Sequence, residues 1–327
     1  MWYQHSKQPT IAVGSSGSAT GYTAVSALKS SLGRKGYKIV ACDTNPKHLV
    51  AAATIADDFI QLPSALEDGF VSRTVELLKT SGVNLFYPIH DQEICVSASA
   101  KEYFAHNQIT VCAVAGEIAK LCTDKLACTK VLCSHGIDVP ETYLLADSID
   151  CVKKFIVKPR HGNGSKFLEV INTDEELENI KRKVDFAVQD YVVQEWLSQP
   201  EITVDAFVLP DYSLVKVVCR ERLEIKSGVT TKAYVFHDDF YTALALRVAK
   251  ALNLFGAFCF QTRSTNNSVI DVNPRIGGAT AMSILLGQDF PSAHIAYFLG
   301  YEPKIFFKDE YQPCFVTRSY REHIAYL

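Results

Sequence analysis

Strand and helix signals alternate through the first 114 residues, and that alternation is the tightest constraint on the fold. Ile11-Ala-Val-Gly14 is a short apolar strand running into Gly14-Ser-Ser-Gly17-Ser-Ala-Thr-Gly21, after which small and apolar residues continue as a helix to about Leu32. Gly36-Tyr-Lys-Ile-Val-Ala-Cys-Asp43 reads as a second strand, Leu85-Phe-Tyr-Pro88 as a third and Thr110-Val-Cys-Ala113 as a later one. Strands separated by helices pair in parallel, so the expected class is α/β with a doubly wound sheet. The glycines do not follow Gly-x-Gly-x-x-Gly. A tight turn or substrate loop therefore fits better than a nicotinamide pocket, and only this loop and Asp43 suggest a Rossmann dehydrogenase.

Near the other end, Val269-Ile270-Asp271-Val272-Asn273-Pro274-Arg275 delivers an acid, an amide and a guanidinium from one apolar strand. Residues two apart share a strand face, so Asp271 and Asn273 project together as oxygen ligands. Such ligands suit Mg²⁺, which takes one or two carboxylates and completes its shell with phosphate oxygens. Arg275 suits bidentate capture of phosphate or carboxylate. A buried strand ending in a polar turn is the plainer alternative.

Between these segments, Phe155-Ile-Val-Lys158-Pro-Arg160-His-Gly162-Asn-Gly164-Ser165-Lys166 places a lysine at a strand end before a glycine-rich loop. Glycines let backbone N–H groups approach phosphate, and the lysine adds a point charge. The spacing is not that of a Walker loop. Residues from Ala115 to about His135 read as one helix. Val192-Val-Gln194-Glu195-Trp196-Leu197 and Glu201-Ile-Thr203-Val-Asp205 follow the glycine loop.

The ordered set resembles the ATP-grasp superfamily, especially the synthetase units of carbamoyl phosphate synthetase large subunits and their single-unit relatives. Thr123-Asp124-Lys125, Gly136 to Thr142, Val157-Lys158-Pro159 with Gly162 to Ser165, Gln194 to Leu197, Glu201, Gln261 and Asp271 to Arg275 carry the likeness over roughly residues 10–305. The family motif usually begins with glutamate where this chain has Asp271. The resemblance implies a Rossmann-like domain at 1–114, an ATP-grasp domain at 115–304 with a lid at about 143–192, and a tail at 305–327. It implies that Lys125, Lys158, Gly162, Gly164 and Ser165 hold the nucleotide phosphates. Glu195, Trp196 and Leu197 would form the adenine hinge, and Glu201 would take the ribose. Gln261, Asp271 and Asn273 would bind Mg²⁺ or Mn²⁺, and Arg275, Arg220 and Asn273 would be catalytic. Asp91 and Glu93, at a parallel strand's C-terminal end, would help Arg275 read an amine-bearing substrate.

The implied reaction is ADP-forming ligation of a carboxylate to an amine or ammonia through an acyl phosphate. One unit and no glutaminase segment point away from full carbamoyl phosphate synthesis. A nicotinamide dehydrogenase and a non-catalytic ATP-binding module are the alternatives. A net charge of −3 gives no electrostatic reason to expect nucleic acid. Ten cysteines without a Cys-x-x-Cys pair fit a reducing cytoplasm better than a zinc or disulfide framework. No apolar run reaches membrane-span length. The expected partners are small carboxylates and amines, with a homodimer as the expected assembly.

The hairpin signal at 257–272 leaves two registers open. A two-residue turn at Asn266-Asn267 pairs Gln261 with Val272, whereas a three-residue loop at 265–267 pairs it with Asp271. Only the second places Gln261, Asp271 and Asn273 on one face, so the cation chemistry selects it.

Overall fold

The computed structural model describes residues 8–151, 153–162, 168–198, 200–226, 228–263, 266–319 and 321–325. Its N-terminal part has five parallel strands: β1 (Thr10–Val13), β2 (Lys38–Asp43), β3 (Asp58–Gln61), β4 (Leu85–Tyr87) and β5 (Thr110–Val111). Helices α1 (Ala19–Ser31), α2 (Phe70–Thr80), α3 (Asp91–Ser99) and α4 (Lys101–His106) connect them. The spatial order β3-β2-β1-β4-β5 is that of a doubly wound sheet. Its winding reverses between β1 and β4, opening a crevice at their C-terminal ends. Strand β3 carried no clear signal, because Asp-Phe-Ile-Gln has one buried residue between polar ends.

The single helix expected at 115–135 is two, α5 (Gly116–Thr123) and α6 (Lys125–Ser134). Asp124 breaks it by adopting an extended backbone and accepting the Leu126 and Ala127 N–H groups, each at 3.1 Å. An aspartate N-cap satisfies donors that a helix start otherwise leaves bare.

Next comes a four-stranded antiparallel sheet of β6 (Thr142–Leu144), β7 (Phe155–Pro159), β8 (Glu169–Ile171) and β9 (Tyr191–Glu195), in the order β6-β9-β7-β8. Helix α7 (Asp174–Val184) covers it, opened by a Thr173–Glu176 capping box. This unit has a core of its own, built from Leu145, Phe155, Val157, Ile171, Leu177, Ile180 and Val193.

The largest sheet is antiparallel, with β10 (Glu201–Val208), β11 (Val215–Lys226), β12 (Val229–Phe236), β13 (Gly256–Arg263), β14 (Ser268–Asn273) and β15 (Cys314–Thr317) in the order β14-β13-β10-β11-β12-β15. Helices α8 (Asp239–Leu252), α9 (Thr280–Leu285) and α10 (Phe290–Leu299) accompany it. The segment from 305 onward, expected as a separate tail, supplies edge strand β15 against β12. Two apolar clusters run without a break from the parallel sheet into this one. Ala12, Val40 and Phe86 join Val204, Phe258 and Phe260, while Ile11, Val13 and Leu28 join Phe207, Val218 and Phe290. The parallel and large sheets thus share their cores, and the small sheet stands apart.

His294 on α10 stitches the shared body. Its Nδ1 accepts the Ala257 N–H at 2.9 Å, which leaves Nε2–H to donate to the Cys112 carbonyl at 3.1 Å. Both bonds require the neutral ring, and burial pushes its pKa down to about 4.

In the β13–β14 hairpin, Arg263 faces Ser268 and Thr262 faces Val269, so the connection spans four residues rather than two or three. A bulge at Ile270 then shifts the register, and Gln261 comes opposite Asp271 with Cys259 opposite Asn273. The pairing that the cation chemistry selects is present, reached through a bulge instead of a shorter loop.

Candidate active site

Lys158 leaves β7 at the junction between the small sheet and the large one. Its Nζ donates to Gln194 Oε1 at 2.7 Å and to the Ile270 carbonyl at 3.3 Å. Burial lowers its pKa to about 8, with Asp271 opposing the shift and Lys125 and Arg263 reinforcing it. Lys125, the first residue of α6, reaches the Gly162 carbonyl at 2.8 Å. Gly162 has φ +102°, a conformation that favours glycine, so the loop after β7 turns where only this residue fits easily. Gly164 and Ser165 lie outside the described residues. Asp124 fastens the same corner through Arg160, at 2.9 Å to Nε and 2.6 Å to Nη2. The Asp124–Arg160 pair escaped the sequence reading, although Thr-Asp-Lys ahead of an apolar run was a legible cap signal.

On β14, Asn273 Nδ2 donates to Asp271 Oδ2 at 3.0 Å, and Asn273 Oδ1 accepts from Arg275 Nη2 at 3.0 Å. Arg275 Nε donates to Asp91 Oδ1 at 2.8 Å. A polar line thus runs from Asp271 through Asn273 and Arg275 to Asp91 at the start of α3, crossing from the large sheet to the parallel one. As a donor set for Mg²⁺, Asp271 supplies the charge and Gln261, across the strand pair, an amide oxygen. One carboxylate with amide oxygens fits a cation that draws its remaining ligands from phosphate. The Asn273 amide oxygen is turned toward Arg275, so it would join the set only after rotating away.

Glu93 sits beside Asp91 yet performs a different task. It fills the crevice at the winding reversal, accepting Ser15 Oγ at 3.2 Å and the Ile89 N–H at 3.0 Å. A methyl group on Gly14 would collide with its carboxylate. Burial raises its pKa to about 7. Asp43 is equally committed, accepting the Gly17 N–H at 2.7 Å on one oxygen and the Asn45 backbone and side chain on the other. A dinucleotide would meet one carboxylate, Glu93, where its pyrophosphate should lie, and another, Asp43, that already accepts three N–H groups. The nicotinamide alternative fails on this geometry.

Two expected roles meet different surroundings. Arg220, expected to face phosphate, is wholly buried, forking onto Asp205 and bonding Ser283 Oγ at 2.7 Å. Its depth is fixed by Asp205 on the neighbouring strand and Ser283 on α9. Glu201, expected to be open to ribose, is gripped by Arg222 and Arg263 on its two oxygens. Arg263 faces it directly across β10 and β13, and a buried carboxylate takes such partners readily. At the hinge, the Glu195 and Trp196 N–H groups are used, donating at 2.9 Å to the Glu141 and Lys154 carbonyls. The Leu197 N–H has no acceptor among the described residues. The Trp196 ring lies 4.7 Å from the Arg263 guanidinium carbon.

Comparison with known proteins agrees with the fold. Residues 187–314 match a family model described as ATP-grasp in the biosynthetic pathway with Ter operon, and residues 11–112 match the PylC-like N-terminal domain. The biotin carboxylase domain of Hydrogenobacter thermophilus 2-oxoglutarate carboxylase, solved with MgADP, ADP and bicarbonate, superposes with a TM-score of 0.71 at 16% identity, over 91% of this chain and 71% of that one. N5-carboxyaminoimidazole synthetase from Staphylococcus aureus gives 0.70 at 17% identity, over 92% and 80% of the two chains. An L-amino acid ligase from Bacillus licheniformis gives 0.71 at 15%, over 94% and 78%. A parallel five-stranded domain leading into a split antiparallel unit is the architecture of an ATP-grasp ligase. Residues 187–314 thus carry an ATP-grasp family match behind a PylC-like N-terminal match at 11–112, and the fold is shared with these structures. No helix among the described residues is long and apolar enough to cross a membrane.

Proposed function

We propose that the chain is an ATP-dependent ligase joining a small carboxylate to an amine or ammonia. The observation that carries this reading is the polar line from Asp271 to Asp91, which ends beside the Lys125–Lys158 pair on one side and the crevice acids on the other. Lys125, Lys158 and the loop opening at Gly162 are assigned to the nucleotide phosphates, and the Leu197 N–H, without an acceptor among the described residues, to the adenine edge. Asp271, Gln261 and a rotated Asn273 would hold Mg²⁺, or Mn²⁺ in its place, which when bound neutralises charge on the phosphate oxygens. A substrate carboxylate oxygen attacks the γ-phosphorus and the bond to ADP breaks. The amine then attacks the acyl carbon, phosphate departs and the amine loses a proton. Arg275 orients the carboxylate and stabilises the charge that builds during transfer. Asp91 fixes Arg275 and faces the amine-bearing substrate, and Glu93 lines the crevice beside it. Chemistry of this kind rests on positioning and charge, with no side-chain nucleophile required.

The test is ADP release from ATP and Mg²⁺ across a matrix of carboxylates and amines, with hydroxylamine present to trap an acyl phosphate as its hydroxamate. Turnover that depends on one carboxylate and one amine together supports the ligase. Protein that binds ATP yet turns over with no pair is a binding module, and protein that does neither defeats the reading.

A further inference from the structure

The loop between β1 and α1 is flanked by two acids. A methyl group on Gly14 would collide with the Glu93 carboxylate, and one on Gly17 would come within 2.9 Å of Asp43 Oδ2. Between these glycines Ser15 takes φ +46°, a left-handed backbone that a residue with a Cβ adopts at a cost. Its neighbours hold it there. The Ser15 carbonyl accepts the Ser18 N–H at 3.1 Å and the Ser18 hydroxyl at 2.8 Å, and α1 packs so closely on it that a methyl group on Gly21 would collide with the carbonyl oxygen. Fixed in this way, the Ser15 hydroxyl donates to Glu93 Oε2 at 3.2 Å.

Burial separates the two partners. Glu93 is 6% exposed, so little of it reaches the crevice, whereas Ser15 is half-buried at the crevice wall. The titratable groups acting on Glu93 are Asp43 and Cys42, both from the end of β2 and neither of them cationic. Asp91, two residues away on α3, is answered by Arg275. Burial pushes the Glu93 pKa up to about 7, which suits a group that takes a proton near neutral pH. Arg275 reaches the same place from the large sheet. It bonds Asp91 at 2.8 Å and acts electrostatically on the Tyr87 hydroxyl, and the Tyr87 carbonyl accepts the Gly14 N–H at 2.9 Å. The loop after Arg275 closes against α1, where a methyl group on Gly278 would lie 3.7 Å from Thr20 Oγ1. The guanidinium assigned to the reacting carboxylate and the Ser15–Glu93 pair therefore border one crevice.

We propose that Ser15 and Glu93 form the relay that takes the proton from the attacking amine, a step that rests on the ligase reading. The uncharged amine nitrogen bonds to the acyl carbon, and the bond from that carbon to the phosphate oxygen breaks. The N–H proton passes to Ser15 Oγ as the Ser15 hydroxyl proton passes to Glu93 Oε2. Phosphate and amide leave, and Glu93 returns its proton to solvent. The test compares amide formation from a carboxylate and amine that support turnover with hydroxamate formation when hydroxylamine replaces the amine. Hydroxylamine is uncharged and strongly nucleophilic near neutral pH, so its attack on an acyl phosphate needs little help from a base. Glu93→Gln keeps the size of the side chain, and Ser15→Gly suits the left-handed backbone. In each, the ratio of amide to hydroxamate should fall about a hundredfold, the scale of general base catalysis. Single-turnover amide formation by the parent at saturating amine should rise through a pH of about 7, and Glu93→Gln should lack that limb. A ratio unchanged in either variant, or both products falling together, overturns the relay and leaves the ligase reading standing. Parent protein that forms neither product with any pair overturns the ligase reading, and the relay with it.

Discussion

At the scale of single residues, Lys158 makes the most direct prediction. Phosphate binds its protonated form, and in the free protein burial holds the pKa at about 8. Affinity for ATP is therefore flat below that pH and declines above it, by up to about tenfold per pH unit. Calorimetric titration across this range checks it, and Lys158→Ala should bind weakly with the pH dependence gone. Asp271→Asn keeps size and hydrogen bonding but removes the only carboxylate of the proposed cation set. Mg²⁺-dependent turnover should vanish while the circular dichroism and melting curve stay near those of the parent. Arg275→Ala should lower kcat more than it alters ATP affinity, which separates its role from that of Lys158. Proximity was legible in sequence where one strand fixed the spacing, as for Asp271, Asn273 and Arg275, whose side chains meet. It was not legible for Arg220 or Glu201, because their partners Asp205, Ser283, Arg222 and Arg263 arrive from other elements.

Among elements, the α5–α6 break and the β13–β14 hairpin show how local rules were read and misread. The strands of the parallel sheet announced themselves through apolar runs, and β3 stayed silent with a single buried residue. The break at Asp124 was hidden because residues on both sides keep helical periodicity, and only the cap marks it. Asp124→Ala removes that cap and the partner of Arg160 together, costing about 1–2 kcal/mol from the cap and less from the partly exposed ion pair. It should lower the melting temperature and also weaken nucleotide binding, since Lys125 is the next residue. Arg160→Ala should show a smaller fall, because the cap survives. In the hairpin the turn signal suggested short loops, whereas the chain uses four residues and corrects the register at Ile270. Deleting Ile270 would bring Asp271 directly after Val269 and keep it opposite Gln261 in an unbroken ladder, so retention of Mg²⁺-dependent turnover in a folded protein is the expected result.

For the whole molecule, two buried groups set opposing responses to acid. His294 has a folded pKa of about 4, below its ordinary 6.5. Its contribution is complete above pH 6.5 and is lost as pH falls toward 4. Glu93 has a folded pKa of about 7, above its ordinary 4.5. Its contribution is complete below pH 4.5 and is lost as pH rises through 7. Between those limits the two slopes oppose each other and the parent protein should melt at a nearly constant temperature. Glu93→Gln should be destabilised on acidification across that window, and His294→Gln should be stabilised by it, as scanning calorimetry at a series of pH values would show. The small sheet belongs to neither device, and its connections suggest another kind of experiment. It is entered at Thr142 and left at Gln194, which face each other across β6 and β9 and share a bond of 2.9 Å from Nε2 to Oγ1. The chain goes out and comes back through one doorway, about a strand spacing wide. In engineering terms the unit is a cassette. A counterpart of the same topology spliced at those two residues would bring its own glycine loop while inheriting the Arg275–Asp91 crevice unchanged.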